Sequence, residues 1–419
     1  MPHTPARQRT RVPRKQVEET SPASPRHRGL AARRPKVQLS GGPYGDKDLL
    51  RIAESVIRKA DREHPADAVL REELKSKRDL SRADGSRISR AVFAFYRWQG
   101  WLSDTKDAFT RVAKAVEFAE RFAQDPACVS DKEIVARALP AWVNEVMDVT
   151  PAWARSLQAE PTLWLRAHRG TGEIVAKKLG ATPFGPGALS DTLEYRGAQD
   201  LFRTPEFHAG EFELQDLSSQ AVGWICRPQP GETWWDACAG EGGKLLHLSD
   251  LMQNKGLIWA SDRAAWRLEK LKRRAGRAKV FNYRTAPWDG SPKPPTKTRF
   301  HGVLLDAPCS GVGTWQRNPH ARWTTTAQDV AELGRLQQQL LAHASTAVKP
   351  GGKLIYSVCT LTRAETIEVA NAFTQQFPEF EPLPINNPLE PAQPPSPTLW
   401  LWPQTHRCNG MFIAAWLRK

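Results

Sequence analysis

The chain has 419 residues and a formal net charge of +15. That length exceeds one ordinary domain, the 40% apolar share suffices for buried cores, and no run of about 18 apolar residues is present to span a membrane. Six cysteines at 128, 226, 238, 309, 359 and 408 form no C-x-x-C pair, which argues against zinc or another metal and for a reduced, cytoplasmic protein.

The first 40 residues hold ten Arg or Lys against two Glu, a net of +8, which leaves +7 for the rest of the chain. Residues 1–45 are read as a disordered basic arm, suited to phosphate contact or simply solvated. The opening "MPHTPARQRTRVPRK" has no apolar core for a signal peptide. A basic excess of this size predicts a polyanionic partner, through release of counterions from phosphates.

Residues 46–150 carry helical periodicity. "KDLLRIAESVIRKADRE" puts Leu49, Leu50, Ala53, Val56, Ile57 and Ala60 on one face. "DGSRISRAVFAFYRWQGWL" continues the pattern with Asp84 or Ser86 as its expected cap, and Pro140 breaks or kinks "DKEIVARALPAWVNEVM". Arg78, Arg82, Arg87, Arg90 and Arg97 are expected to give this all-α domain a basic surface. Residues 151–216 change texture to short strands and turns around one helix, "GEIVAKKLG", ended by Gly180, a small α+β subdomain.

From 217 to 419, strands and helices alternate, the pattern of a doubly wound α/β sheet. The expected strands are "TWWDACA" (233–239), "GLIWASD" (256–262), "KVFNYRT" (279–285), "GVLLDAP" (302–308) and "KLIYSVCT" (353–360). "TLWLWP" and "GMFIAAWLRK" follow as an antiparallel edge pair, after the proline-rich loop "PLPINNPLEPAQPPSP".

"WWDACAGEGGKLLHL" reads as strand, glycine turn and helix. Gly240, Gly242 and Gly243 let the backbone approach a ligand, and the helix start offers free N–H groups. Neither G-x-G-x-x-G nor a P-loop is present. Asp262, 26 residues after Asp236, ends the next strand and suits ribose hydroxyls. Two acid-ended strands around a short glycine turn favour S-adenosylmethionine over NAD. Its ammonium suits Asp236 or Glu241, and its carboxylate suits the turn amides.

Asp306, Cys309 and Cys359 fall at strand ends on the ligand side of such a sheet. A thiolate adding to carbon 6 of a pyrimidine makes carbon 5 nucleophilic toward a methyl donor, a covalent catalysis that needs a lowered thiol pKa and an acid at N3, for which Asp306 is the candidate. Either cysteine taken singly is more often a core residue; the pair at adjacent strand ends reverses that. Cys226, Cys238 and Cys408 are read as packing, although Cys238 lines the cofactor turn.

The motifs "ELQDLSSQ" (213–220), "DACAGEGGK" (236–244), "LLDAPCSGVGTWQRNPHARW" (304–323), "KPGGKLIYSVCTL" (349–361) and the terminal "NGMFIAAWLRK" resemble the Sun/RsmB-type family of RNA (cytosine-5) methyltransferases. Two departures stand out: Ala-Gly-Glu replaces the usual Ala-Pro-Gly in the glycine turn, and Val358 replaces the Thr of S-T-C. The resemblance implies a class I, Rossmann-like methyltransferase domain, preceded by an RRM-like α+β subdomain and an all-α NusB-like RNA-binding domain. It makes Cys359 the nucleophile and Cys309 the residue that assists product release, with Asp306 and Lys244 in the active site. S-adenosylmethionine would be bound by Cys238, Ala239, Gly240, Glu241, Gly242, Gly243, Lys244, Asp262, Asp306 and, at the adenine, Asp289 ahead of Asn282. The implied partner is RNA, ribosomal first and transfer RNA second, with the protein a monomer. The target cytosine must be flipped out, and Arg317, His320, Arg322 and Trp323 are candidates to hold phosphates or stack on a base, with packing under the loop the equal alternative for Trp323.

Two rival readings are set against this. A DNA cytosine-5 methyltransferase would use Cys309, which follows a proline, but the sequence has no Glu-Asn-Val tripeptide. An RNA-binding assembly factor would keep the fold without the Asp306, Cys309, Cys359 and Lys244 set.

Overall fold

The computed structural model describes residues 45–419, so the arm expected over 1–45 lies outside the described residues except for Gly45. Helices Asp46–Lys59, Ala66–Ser76, Arg82–Trp98 and Ala108–Gln124 pack around Trp98, whose ring lies 5.3 Å from Phe118 and 5.4 Å from Phe122. The cap expected at Asp84 or Ser86 is Ser81. Its Oγ accepts from Asp84 N at 3.1 Å and donates to the Asp84 carboxylate at 2.6 Å, so the helix begins at Arg82. Pro140 separates helices Asp131–Arg137 and Val143–Val146. The helical core runs past residue 150, because Trp153, Ala154 and Leu157 are buried in it.

Four strands follow: β1 (Leu163–Ala167), β2 (Thr182–Pro183), β3 (Thr192–Tyr195) and β4 (Phe212–Leu214). They form an antiparallel sheet in the order β2-β3-β1-β4. Helix Gly172–Leu179 covers it and ends at Gly180, which sits in the left-handed region at φ 65°. "ELQDLSSQ" forms the joint to the next sheet. Glu213 takes Arg274 at 2.9 Å and also Arg277, while Gln215 accepts from Arg166 at 2.7 Å and donates to Gly243 O at 3.2 Å.

The large sheet contains β5 (Thr233–Asp236), β6 (Leu257–Ala260), β7 (Tyr283–Thr285), β8 (Phe300–Asp306), β9 (Val348–Val358), β10 (Phe380–Pro382), β11 (Thr398–Leu401) and β12 (Met411–Arg418). The order β7-β6-β5-β8-β9 is parallel throughout, and its direction of winding reverses between β5 and β8, which is where open α/β sheets bind ligands. β12 is no edge strand. It lies antiparallel between β9 on one side and β10 and β11 on the other, so its run "MFIAAW" is buried on both faces. β7 is shorter than "KVFNYRT": Lys279 turns the chain at φ 56° and Asn282 spends its side chain on Ser249.

The helical core and the sheet domain share residues. Val312, Trp315 and Leu361, from the loops after β8 and β9, are buried in the helical cluster. Trp153 stacks on Trp315 at 6.4 Å and Trp142 meets it edge-on at 6.1 Å. Arg322, fully buried, donates to Ala138 O at 2.7 Å and Leu157 O at 3.1 Å, and Trp323 Nε1 donates to Tyr96 O at 2.7 Å. His320 lies edge-on to Tyr96 at 4.7 Å. His320, Arg322 and Trp323 are therefore committed to packing and hydrogen bonding inside the fold, which corrects their reading as nucleic-acid contacts. Arg97 is likewise buried rather than part of a basic surface.

Trp315→Ala opens a large void at this seam and is expected to cost about 3–5 kcal/mol of stability, read as a lower urea midpoint. An unchanged midpoint would show that the seam contributes little.

Candidate active site

The parallel register of β8 and β9 pairs Leu304 with Ile355 and Asp306 with Ser357. Both strands stop just beyond this point, and the chain after each carries a cysteine. The two sulfurs, Cys309 Sγ and Cys359 Sγ, lie 3.4 Å apart. Lys244, from the helix Gly243–Leu251 that starts at the glycine turn, places Nζ 2.6 Å from Asp306 Oδ2. Ser357 Oγ donates to Asp306 Oδ1 at 2.8 Å, so the carboxylate is held from both sides. All four residues taken from the sequence as catalytic are in one place.

The two thiols are electrostatically unequal. Contact with Cys309, together with the Lys244 and Arg317 charges, lowers the Cys359 pKa against burial and the Asp306 charge. The same contact, with burial, raises Cys309 well above the ordinary thiol value. Burial alone would depress Lys244, but Asp306 beside it leaves its pKa raised, so the ammonium is retained.

Beside the sulfurs lies a cavity of about 450 Å³, walled by Asp236, Cys238, Ala239, Gly240, Glu241, Gly243, Lys244, Asp262, Asp289 and Asp306, with Trp288, Leu336 and Leu340 as its apolar part and Cys309, Cys359 and Arg317 also on the wall. Gly240 adopts φ 54° and its N–H donates to Asp262 Oδ2 at 3.1 Å, while Asp262 Oδ1 accepts from Ala264 N at 2.8 Å. Gly242 is the one expected cofactor residue that does not line the cavity. It turns the backbone at φ 87°, and a Cβ there would stand 2.7 Å from Leu271, so only glycine lets the turn pack against that helix. Asp289 lines the cavity. Asn282 does not: it is buried and accepts from Ser249 Oγ at 2.6 Å.

Asp236 is fully buried on this wall and neither carboxylate oxygen has a hydrogen-bond partner among the described residues. Burial and then the Asp306 charge lift its pKa to about 8. An orphaned carboxylate facing a cavity calls for a cationic ligand group. With the glycine turn, Asp262 and the apolar side at Trp288, the residues present fit the ammonium, ribose and adenine of S-adenosylmethionine.

Ser357 and Glu365 escaped the sequence reading. Ser357 lies two residues before Cys359, and period-two alternation along the strand was the available signal. Glu365 sits in "RAETIEVANAF", which reads as a solvated helix start and gives no sign of its full burial.

Residues 224–417 match the family model described as 16S rRNA methyltransferase RsmB/F. The chain is 39% identical to a "Probable ribosomal RNA small subunit methyltransferase B" of Synechocystis over 66% of this chain and 66% of that protein. It is 31% identical to the mouse "28S rRNA (cytosine-C(5))-methyltransferase" over 58% of this chain and 32% of that protein, so it spans only part of the curated relatives it matches. Among solved structures, the crystal structure of PH0851 superimposes with a TM-score of 0.71 at 23% identity, covering 90% of this chain and all of that one, and shares the fold.

Two outcomes test the electrostatics. Lys244→Met removes a cation that favours the Cys359 thiolate, so the pH of half-maximal iodoacetamide labelling of Cys359 should rise by about one unit. For Asp236 the folded pKa, about 8, lies above the ordinary 3.8. Such a group favours the folded state fully below pH 4, and the contribution is lost as pH climbs to about 8. Without ligand, the urea midpoint of the wild type should therefore fall relative to that of Asp236→Asn between pH 5 and 8; parallel curves would contradict the assignment.

Proposed function

Since the chain belongs to the RsmB/F methyltransferase family, we propose that it methylates carbon 5 of a cytosine in RNA, using S-adenosylmethionine and a transient bond from Cys359 to carbon 6. The observation that carries this reading is the pair of unequal sulfurs 3.4 Å apart beside the Lys244–Asp306 pair, at the edge of a cavity that fits the cofactor.

Asp236 and the turn from Cys238 to Gly243 would hold the amino-acid end, Asp262 the ribose, and Asp289 with the Trp288 side the adenine. S-adenosylmethionine, when bound, supplies the electrophilic methyl group. Cys359 forms a sulfur–carbon 6 bond, and the electron pair displaced from the 5,6 double bond is stabilised as N3 takes a proton or hydrogen bond from the Asp306–Lys244 pair. Carbon 5 is then nucleophilic and takes the methyl, the sulfonium–methyl bond breaking to leave a neutral thioether. Loss of the carbon 5 proton to a base, with return of any N3 proton to the Asp306–Lys244 pair, restores the double bond and expels the Cys359 thiolate. Cys309, in contact with that sulfur, is placed to assist this release.

The substrate class is inferred from three supports: the +15 charge, the names of the relatives and Arg317, an exposed cation on the cavity wall suited to a phosphate of the flipped nucleotide. Small-subunit ribosomal RNA is the first candidate, and bisulfite mapping of cellular RNA with and without the gene would identify the cytosine.

Cysteine variants, labelled cofactor and total RNA test the chemistry. Cys359→Ser should abolish 5-methylcytosine formation, whereas Cys309→Ala should accumulate a covalent protein–RNA adduct resistant to denaturing gels. Loss of methylation in Cys309→Ala with full turnover in Cys359→Ser would reverse the two roles and support the DNA-type arrangement.

A further inference from the structure

We propose that Glu365 is a positioning residue that clamps the two thiol loops against each other and thereby sets the sulfur–sulfur contact. This deepens the reading above and rests on it for the reaction, though not for the geometry.

Glu365 does not line the cavity, although its charge is one of the influences that raise the Cys309 pKa. It ends the short turn Arg363–Glu365 and is fully buried, yet five donors converge on its two oxygens. Ser310, directly after Cys309, gives both its backbone N–H, at 2.8 Å, and its hydroxyl. Thr360, directly after Cys359, gives its hydroxyl at 3.0 Å, and Thr362 adds another at 2.8 Å. One carboxylate therefore bridges the residue that follows each cysteine.

The clamp is itself held. Gln337 Nε2 donates to Glu365 Oε1 at 3.1 Å and to Pro308 O at 2.9 Å, on the other side of Cys309. Tyr356 O–H donates to Glu365 O at 2.6 Å. A buried network in which every member is bonded has one low-energy arrangement, because any shift leaves a donor unpaired in a dry interior. The loops beyond β8 and β9 have left the ladder that aligned the strands. Beyond 306 and 358 the backbone bonds Ala307 N–H to Ser357 O (3.0 Å) and Gly313 N–H to Cys359 O (3.1 Å) join the two segments, and this carboxylate adds the side-chain clamp between Ser310 and Thr360.

Glu365→Gln tests the clamp, because it keeps the shape and turns one acceptor into a donor facing donors. Two readouts are taken on the full chain. The first is closure of a Cys309–Cys359 disulfide by diamide: two thiols give two electrons and two protons to the azo bond, which becomes a hydrazine as the S–S bond forms. The second is methyl transfer from labelled S-adenosylmethionine to RNA, normalised to cofactor-binding stoichiometry. Closure should slow on the order of tenfold as the sulfurs lose their alignment. The turnover number should fall about 100-fold, the usual effect of a misplacement near 1 Å, with KM for RNA unchanged. Wild-type rates in both readouts overturn the clamp. Slowed closure in the variant together with no methylation by the wild type on any RNA would leave the clamp standing and remove the methyltransferase reading. If Glu365→Gln does not fold, Ser310→Ala replaces it; slower closure supports the clamp and wild-type closure overturns it.

Discussion

The chemistry of this protein depends on one pairing, the parallel ladder between β8 and β9. It sets Asp306 against Ser357, so the chain beyond each strand emerges at the same edge and at the same height. Pro308 has no N–H to continue the ladder, and the loop carrying Cys309 therefore leaves the sheet at once. A one-residue change in this register would swing one thiol to the opposite face. Because β5 lies beside β8 and the winding reverses there, the glycine turn, Lys244 and the orphaned Asp236 arrive at the same edge. The cofactor-type cavity and the thiols thus share one wall for a topological reason.

The charges at that wall form a graded set. Lys244 keeps its proton beside Asp306, Asp236 is pushed toward neutrality by burial, and of the two sulfurs Cys359 has its proton affinity lowered while that of Cys309 is raised. Closely placed groups with divergent proton affinities are what an acid–base and nucleophile assignment requires.

The helical domain does more than sit next to the sheet. The loop after Cys309 sends Val312 and Trp315 into the helical core, and Arg322 spends its guanidinium on two carbonyls there. Burial depresses Arg322 to about 9 and Arg97 to about 10. Cations that costly persist only where the surrounding carbonyls and packing hold them. The geometry of the thiol loop is consequently a property of both domains.

Much of the architecture is local in origin and could be read from residue order. Alternating apolar runs, the turn G-E-G-G-K, the acid at 262 and the cysteines after β8 and β9 each reflect a backbone or chemical need within a few residues. The amino-acid sequence alone determined the alternating sheet, the cofactor-type turn and which four side chains meet. Only the tertiary structure decided that Ser81 caps the third helix, that β12 is interior, that Gly242 packs against Leu271, that Arg322 and His320 are buried, and that Trp323 donates to Tyr96 O. It also decided the burial of Glu365 and the opposite directions in which the two thiols' proton affinities shift. The physical reason is that burial, proton affinity and network membership are set by neighbours far away in the chain: Arg322 meets Leu157 across 165 positions and Cys309 meets Cys359 across 50.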